Sequence, residues 1–305
     1  MPRPHHPTTT SPAVAGLGHQ GTQHYENFPV ASWLCPKALR PAILAIYHFA
    51  RCADDMADEG DATAEQRLQA LQDYRHALVA CAEAHGYHGD RWHAVFAPLA
   101  AMIAQHQLPL PLLHDLISAF EQDVRYTAAG RRYRDQAELL DYCRLSANPV
   151  GRLLLHLYGV TDSVSLQRSD QICSALQLIN FWQDLSVDLP RQRHYLPTDR
   201  LLAHGVNVSA IGPTVASDPA AQALIAELCE QARTLMMAGA PLALQLPGRI
   251  GWELRLVVQG GLLILDRADA LQHRTWHTRP RLRSWDLPRL LWRAARMKRT
   301  ELSPR

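Results

Sequence analysis

Apolar residues recur at helical spacing along most of this chain. Segments with this period lie at roughly 36–58, 63–85, 91–106, 110–127, 135–158, 166–186, 218–244 and 249–272. Gly and Pro residues stand in the gaps between them, and no alternating run of Val, Ile and Thr is bounded by hairpin turns. The pattern therefore predicts an all-α protein.

Length and composition fit one large globular domain. The 305 residues lie near the upper limit for a single hydrophobic core, and 47% of them are hydrophobic. The longest apolar stretch, around residues 256–265, is interrupted by Gln259-Gly260-Gly261 and is far shorter than the ~20 residues of a membrane span. Residues 1–23, rich in Pro, Thr and His, are expected to be disordered and contain no apolar signal segment.

The cysteines and the N-terminal segment bear on the compartment. Six cysteines are scattered along the chain and form no CxxC pair, so neither a disulfide framework nor a zinc site is expected. Together with the absence of a signal segment, this predicts a cytoplasmic protein.

Charge is distributed unevenly. Residues 273–305 contain ten Arg and Lys residues against two acidic ones, a net charge of +8, whereas the whole chain carries +2. Leucines, alanines, Trp285 and Trp292 recur among these arginines at helical spacing. Two interpretations stand side by side: a basic amphipathic tail that lies on an anionic membrane surface at the inner face of the membrane, or a terminal helix packed on its own body. Nucleic acid is not expected as a partner, because no recognisable binding module accompanies the tail.

A stripe of polar residues runs along the first predicted helix. Tyr47, Arg51, Asp54 and Asp58 follow one another at steps of four, three and four residues, which places them within an arc of roughly 60° on a helix. The rest of this helix is mostly Ile, Leu, Phe, Ala, Cys and Met. Since buried carboxylates are costly unless paired or bound to metal, the stripe is expected to line a polar cavity.

A second stripe has the same character. Gln177, Asn180, Asp184 and Asp188 lie on one face of another apolar helix. If the two stripes face each other, four carboxylates converge, and hard divalent cations such as Mg²⁺ resolve the repulsion while leaving positions for phosphate oxygens and water. The alternative is that both are solvated acidic helix faces. Two matching pairs on apolar helices favour the metal site.

These motifs resemble those of the squalene/phytoene synthase family. The two stripes are similar to the family's first and second aspartate-rich motifs, and the segment Arg193-His-Tyr-Leu-Pro197 to the Arg-x-Tyr-Leu-Pro that follows the second. Residues 142–151 align with the family's cavity helix, and the resemblance spans about residues 24–270. It implies a single-domain isoprenoid synthase-type helical bundle around a central apolar cavity, with a catalytic domain at 24–272 and a tail at 273–305.

The resemblance also implies roles for individual residues. Asp54, Asp58, Asp184 and Asp188 are expected to hold about two or three Mg²⁺ ions, with Arg51 and Tyr47 in the catalytic machinery. The expected substrate-binding residues are Asn27, Tyr142, Asn148, Gln177, Asn180, Arg193 and Tyr195. No NAD(P)H is expected, because Gly260-Gly261 lacks the spacing of a dinucleotide fingerprint.

Departures from the commoner family pattern point to one branch. Gln183 stands where an Arg usually precedes the first Asp of the second motif, Asn148-Pro149 replaces Gly-Thr, and residues 24–32 replace the family's N-terminal Ser-Phe. These features resemble the bacterial hydroxysqualene synthase branch of the hopanoid pathway. Asn148 and Gln183 are candidates for holding a reacting water, although Asn148 is also explained as a cap at a kink before Pro149.

This branch implies a reaction and partners. Presqualene diphosphate, made by a sister enzyme, would lose diphosphate, and water would capture the carbocation to give hydroxysqualene, which makes the enzyme a carbon–oxygen lyase. Contact with the sister enzymes of the pathway is also implied. The alternatives are a condensing presqualene diphosphate, squalene or phytoene synthase and, more distantly, a non-catalytic scaffold. A scaffold is expected to have lost its acidic residues.

Overall fold

The computed structural model describes residues 35–83, 87–207 and 217–297, and their regular secondary structure is entirely helical. The α-helices in these ranges are α1 (Arg40–Asp58), α2 (Ala64–Glu83), α3 (His93–His106), α4 (Leu110–Ala128), α5 (Gln136–Ser146), α6 (Asn148–Leu157), α7 (Ser163–Gln183), α8 (Leu185–Asp188), α9 (Thr198–Ala203), α10 (Pro219–Gly239), α11 (Leu242–Gln245), α12 (Gly248–Ala270) and α13 (Leu287–Arg296). The predicted all-α fold is confirmed. Residues 1–34, which include the predicted disordered segment and Asn27, lie outside the described residues.

Three helices begin at an aspartate that caps them. The carboxylates of Asp135, Asp162 and Asp218 accept hydrogen bonds at 2.9 Å from backbone N–H groups in the first turns of α5, α7 and α10 respectively. Such caps satisfy N–H groups that have no partner within the helix. The start of α7, which carries the second acidic stripe, is thereby fixed by local sequence.

The segment expected to form one helix over 135–158 forms two. Pro149 lies in the first turn of α6 and has no N–H to donate to the carbonyl of Leu145, so α5 ends at Ser146. Ala147 between them has φ −116° and ψ −47°. The chain changes direction there, and the polar residues of α5 and the apolar residues of α6 line different cavities.

The second acidic stripe does not lie on one continuous helix, which corrects the sequence prediction. The helix α7 ends at Gln183, Asp184 adopts φ −103° and ψ 12°, and Asp188 ends the separate short helix α8. Pro190 follows directly in a 3₁₀ turn, Leu189–Arg191, and has no N–H to bond the carbonyl of Ser186. The α-helical geometry therefore does not continue past Asp188.

Two hydrophobic cores lie on either side of α4 and α6. One is built from α1, α2 and α3 with residues such as Leu116 and Leu153, and the other from α5, α7, α10 and α12. The helices α4 and α6 contribute to both, for example through Ala119 and Leu155 in the second core. Helix α1, which carries the first acidic stripe, and helix α7, which leads into the second, therefore belong to different cores.

One glycine sets a close helix contact in the second core. A Cβ atom on Gly239 of α10 would lie 2.6 Å from the carbonyl oxygen of Arg168 on α7. No side chain fits at that separation, so glycine allows the end of α10 to approach the backbone of α7. This contact helps to hold α7, and with it the second acidic stripe, in place.

The chain beyond α12 packs on the body. Thr275 and Trp276 are buried, and α13 lies against α12. The predicted domain boundary at residue 272 stays a prediction. The residues after it that the structure describes pack against the helical body. Across the described ranges, no helix combines the length and apolar character needed to cross a bilayer.

Candidate active site

The two acidic stripes converge on one pocket, here called the acidic pocket. It lies among α1, α4, α5, α7 and α8, and opens to solvent. The polar residues that line it and bear on its chemistry are Arg51, Asp54, Asp58, Asp123, Tyr142, Gln177, Asn180, Asp184, Asp188, Arg193, Tyr195 and Arg279. Ten of the thirteen predicted site residues are among them, so the structure brings together groups as far apart in sequence as Arg51 and Tyr195. Their roles remain predictions.

On α1, arginines neutralise both carboxylates. The Arg51 guanidinium donates to Asp54 at 2.8 Å and pairs with Asp55 at 2.6 Å, and all three residues lie on the same helix. Asp58 pairs at 2.5 Å with Arg193, which follows the second stripe in sequence. This last pair connects the two acidic segments directly.

Beyond α7, the compensating charge comes from far along the chain. The Arg279 guanidinium donates to both carboxylate oxygens of Asp184, through Nε and, at 3.0 Å, through a terminal nitrogen. Next to it, the Gln183 side chain donates to the backbone carbonyl of Pro280 at 2.7 Å. Two neighbouring residues at the end of α7 thus hold the segment that leads to α13.

Negative charge remains concentrated in the pocket despite these arginines. Burial, with the nearby charge of Asp58, raises the pKa of Asp54 to about 6. Burial, with the nearby charge of Asp184, raises the pKa of Asp188 to about 7. Since both shifts favour the neutral acid, the site gains from additional positive charge when its carboxylates are ionised.

Asp123 on α4 is a site residue that the sequence reasoning missed. Its carboxylate accepts a hydrogen bond from the Tyr142 hydroxyl at 2.5 Å and a longer one, 3.4 Å, from the Tyr195 hydroxyl. Burial raises the pKa of Asp123 to about 7. A signal existed: Asp123 follows Leu116 by seven residues, on the apolar face of α4, where a lone carboxylate is unusual.

Arg279 was also missed as a site residue. The sequence interpretation placed it in the basic tail, where it is one of ten cationic residues without distinguishing spacing. No local pattern links it to Asp184, 95 residues earlier, because the pairing depends on how the chain returns after α12.

Four residues singled out from the sequence are not among those that line the acidic pocket. Tyr47 lies on α1 with its ring against His48 and is not among the residues that line the acidic pocket. Asn148 is buried and accepts a hydrogen bond at 2.9 Å from Ser174 of α7, and its side chain does not cap α6. Gln183 is buried against Pro280 and does not line the pocket. Asn27 lies outside the described residues.

A second, apolar cavity shares helix α7 with the acidic pocket. It is defined by residues of α6, α7, α11 and α12, among them Val150, Leu154, Cys173, Leu176 and Leu254. Leu176 lines this apolar cavity and its neighbour Gln177 lines the acidic pocket. The two cavities are therefore adjacent along α7.

The carboxylate set fits Mg²⁺. Within the described ranges, no three acidic, His or Cys side chains lie close enough to hold one ion. Mg²⁺ does not need such a cluster, because it usually takes one or two protein carboxylates and completes its shell with water and phosphate oxygens. The pairs Asp54/Asp58 and Asp184/Asp188 supply such ligands, and the raised pKa of Asp54 and of Asp188 indicates a site that favours added cations.

Comparisons of sequence agree with this architecture. The family model for squalene/phytoene synthase matches residues 22–286. A hydroxysqualene synthase of Zymomonas mobilis is 38% identical over 69% of this chain and 66% of its own length, and one of Rhodopseudomonas palustris is 35% identical over 82% and 80%. A presqualene diphosphate synthase of Rhodopseudomonas palustris is 32% identical over 70% of this chain and 73% of its own.

Solved structures have the same fold. A squalene synthase HpnC from Alicyclobacillus acidocaldarius superposes with a TM-score of 0.73 at 33% identity, covering 82% of this chain and 90% of that one. A dehydrosqualene synthase gives a TM-score of 0.75 at 18% identity over 89% and 91% of the two chains. The paired acidic motifs, the helical fold and these matches lead to one conclusion: the chain belongs to the squalene/phytoene synthase family.

Proposed function

We propose that this chain is a Mg²⁺-dependent enzyme of the hydroxysqualene synthase type, which converts presqualene diphosphate to hydroxysqualene and releases diphosphate. The observation that carries the proposal is the convergence of two acidic segments and four arginines, Arg51, Arg191, Arg193 and Arg279, on a pocket that shares helix α7 with an apolar cavity. That arrangement suits a ligand with a diphosphate head and long hydrocarbon arms. The identities of 38% and 35% to hydroxysqualene synthases support this choice of reaction.

The proposed chemistry begins at the diphosphate head. Mg²⁺ held by Asp54, Asp58, Asp184 and Asp188 would supply charge that stabilises the departing diphosphate. Arg51 and Arg193 line the same pocket and would bind phosphate oxygens with planar, bidentate donors. Gln177 and Asn180 would orient the head group through their amides. When the carbon–oxygen bond breaks, its electron pair leaves with the diphosphate.

The cation is then captured by water, which loses a proton. Tyr195 stacks on Phe181 with ring centroids 3.9 Å apart, and Tyr142 and Tyr195 both hold Asp123. These aromatic faces would stabilise the cation and orient the carbon skeleton. The apolar cavity would enclose a prenyl arm and exclude bulk water.

A substitution of Asn148 tests whether this residue holds the reacting water. Its side-chain oxygen accepts a hydrogen bond from Ser174, and in sequence it stands between Ser146, which lines the acidic pocket, and Val150, which lines the apolar cavity. We expect Asn148→Gly to shift the products from the alcohol toward a hydrocarbon formed when the cation loses a proton. An unchanged product ratio would remove Asn148 from the hydration step.

The decisive experiment for the reaction is incubation of the purified protein with Mg²⁺ and either presqualene diphosphate or farnesyl diphosphate. Conversion of presqualene diphosphate to hydroxysqualene supports the proposal. Consumption of farnesyl diphosphate alone would instead establish a condensing enzyme, a second candidate favoured by the 32% identity to a presqualene diphosphate synthase. Failure to convert either substrate would favour a non-catalytic scaffold. The presence of all four motif aspartates argues against a scaffold, which is expected to have lost them.

The proposal includes peripheral association with an anionic membrane surface at the cytoplasmic face, and contact there with the enzymes that supply presqualene diphosphate and consume hydroxysqualene. Its support is chemical: substrate and product are C30 lipids, which partition into bilayers, and residues 273–305 carry a net charge of +8.

A further inference from the structure

Helix α13 is attached to the body through buried polar contacts. Arg293 donates to Gln259 of α12 at 2.7 Å and pairs with Asp266 at 2.6 Å. Asp286, just before α13, is buried and pairs with Arg267 at 2.6 Å. Arg293 and Asp286 therefore anchor this helix to α12, whereas the other arginines of the helix, Arg289 and Arg296, are exposed.

The outward side of α13 is apolar. Trp285 is 64% exposed, Trp292 58%, Leu287 53% and Leu291 45%. Leu287, Leu291 and Trp292 lie on the helix itself, and at about 100° per residue they fall within an arc of about 140°. A surface helix of a soluble domain normally turns such an arc to the core, so this face is inverted and is typical of an interaction site.

Arginines flank this apolar face. The Arg283 guanidinium lies 4.8 Å from the Trp285 ring centre, and that of Arg296 lies 4.5 Å from the ring of Trp292. Tryptophan bodies with cationic groups beside them suit the boundary between acyl chains and anionic head groups. This charge pattern favours a bilayer over an uncharged protein partner.

The face lies close to the acidic pocket along the chain. Trp285 follows Arg279 by six residues, a distance of at most about 20 Å even if the chain is fully extended. Arg279 itself pairs with Asp184 in the pocket. A bilayer on this face would therefore lie within reach of a lipid substrate that enters the pocket.

We propose that Trp285, Leu287, Leu291 and Trp292, flanked by Arg283 and Arg296, form a membrane-docking face for anionic bilayers. This deepens the proposed function, on which it rests for the lipid nature of the substrate. The inserted side chains supply most of the affinity, and the two arginines, with the other exposed cations of residues 273–305, add a preference for anionic lipid.

The test measures cosedimentation of the full chain with phosphatidylcholine vesicles that contain or lack phosphatidylglycerol. We expect a Trp285→Ser/Trp292→Ser double variant to bind anionic vesicles at least about tenfold more weakly, since interfacial affinity scales with the apolar area inserted. The matched control is Trp252→Ser, an exposed tryptophan on α12 that also lies beneath an arginine, Arg255, and it should bind like the unmodified chain.

A second variant and a second readout separate the possible outcomes. Arg283→Gln/Arg296→Gln should weaken the preference for phosphatidylglycerol while retaining insertion. Quenching of tryptophan fluorescence by brominated lipid in the unmodified chain should be lost in Trp285→Phe/Trp292→Phe. Equal vesicle binding by the double serine variant and the control would overturn the docking face, as would a dimer that this variant converts to monomer. Turnover of detergent-solubilised presqualene diphosphate tests the proposed function separately and should not change in the double serine variant.

Discussion

On α1, Asp54 and Asp58 lie on an uninterrupted helix, and Asp54 is paired with Arg51 three residues away. In the second segment Asp184 lies where α7 ends, and its arginine, Arg279, comes from the far end of the chain. The same four-residue spacing of aspartates thus occurs on two different backbones with two sources of compensating charge. Asp54 is therefore compensated by a residue of its own helix, whereas Asp58, through Arg193, and Asp184, through Arg279, find their partners only in the tertiary structure.

The largest expected effect tests whether both segments serve the same chemistry. We expect Asp58→Asn and Asp184→Asn each to lower kcat with presqualene diphosphate on the order of 100-fold or more, because each removes a carboxylate expected to hold the cation. The matched control is Asp55→Asn, on α1 but outside the acidic pocket, which should change kcat only a few-fold. A large loss in only one of the two variants would show that the segments have different roles.

The next effect concerns the distant arginine. In metal-free protein, Arg279→Gln should lower the free energy of unfolding by about 1–3 kcal/mol, because Asp184 loses a largely buried charged partner. Cleavage by a protease within residues 272–286 should also become faster. The control is Arg281→Gln, an exposed arginine in the same segment. Equal cleavage rates in the two variants would mean that the pair does not hold this segment.

Asp123 gives an intermediate effect that depends on pH. Its pKa of about 7 in the folded protein exceeds the value of about 3.9 expected for the unfolded chain, so the folded state binds its proton more tightly. The resulting stability is present below about pH 4 and is lost as the pH rises through about 7. Asp123→Asn cannot ionise, and its free energy of unfolding should therefore fall less than that of the unmodified chain between about pH 5 and pH 8. The measurement is urea denaturation at several pH values. An equal fall in the free energy of unfolding with pH in the two proteins would contradict this account.

The smallest effect is expected for the local pairs on α1. Arg51 and its partners Asp54 and Asp55 are partly exposed, and pairs three or four residues apart on a helix contribute about 0.2–0.5 kcal/mol each. Arg51→Gln should therefore lower the free energy of unfolding by less than about 1 kcal/mol. A loss as large as that of Arg279→Gln, measured by chemical denaturation, would remove the distinction between local and distant compensation.

Much of the fold followed from the sequence because helices are encoded by local periodicity. Eight apolar-periodic segments were predicted, and the structure has helices in all eight regions. Segments predicted as continuous are interrupted at three places, Ala147, Asp184 and Ala240, and a proline follows each break in sequence: Pro149, Pro190 and Pro241. These prolines are visible in the sequence, so a helix end near each of them could be predicted from it.

The candidate site divides in the same way. The sequence by itself determined that polar residues such as Asp54 and Asp184 recur on apolar helices, because their spacing and the cost of burying charge are local properties. The tertiary structure alone decided that Asp123 joins them, that Arg279 returns to pair with Asp184, and that α13 turns its apolar side outward. These arrangements depend on contacts between residues far apart in the chain, and side-chain spacing along one helix carries no information about them.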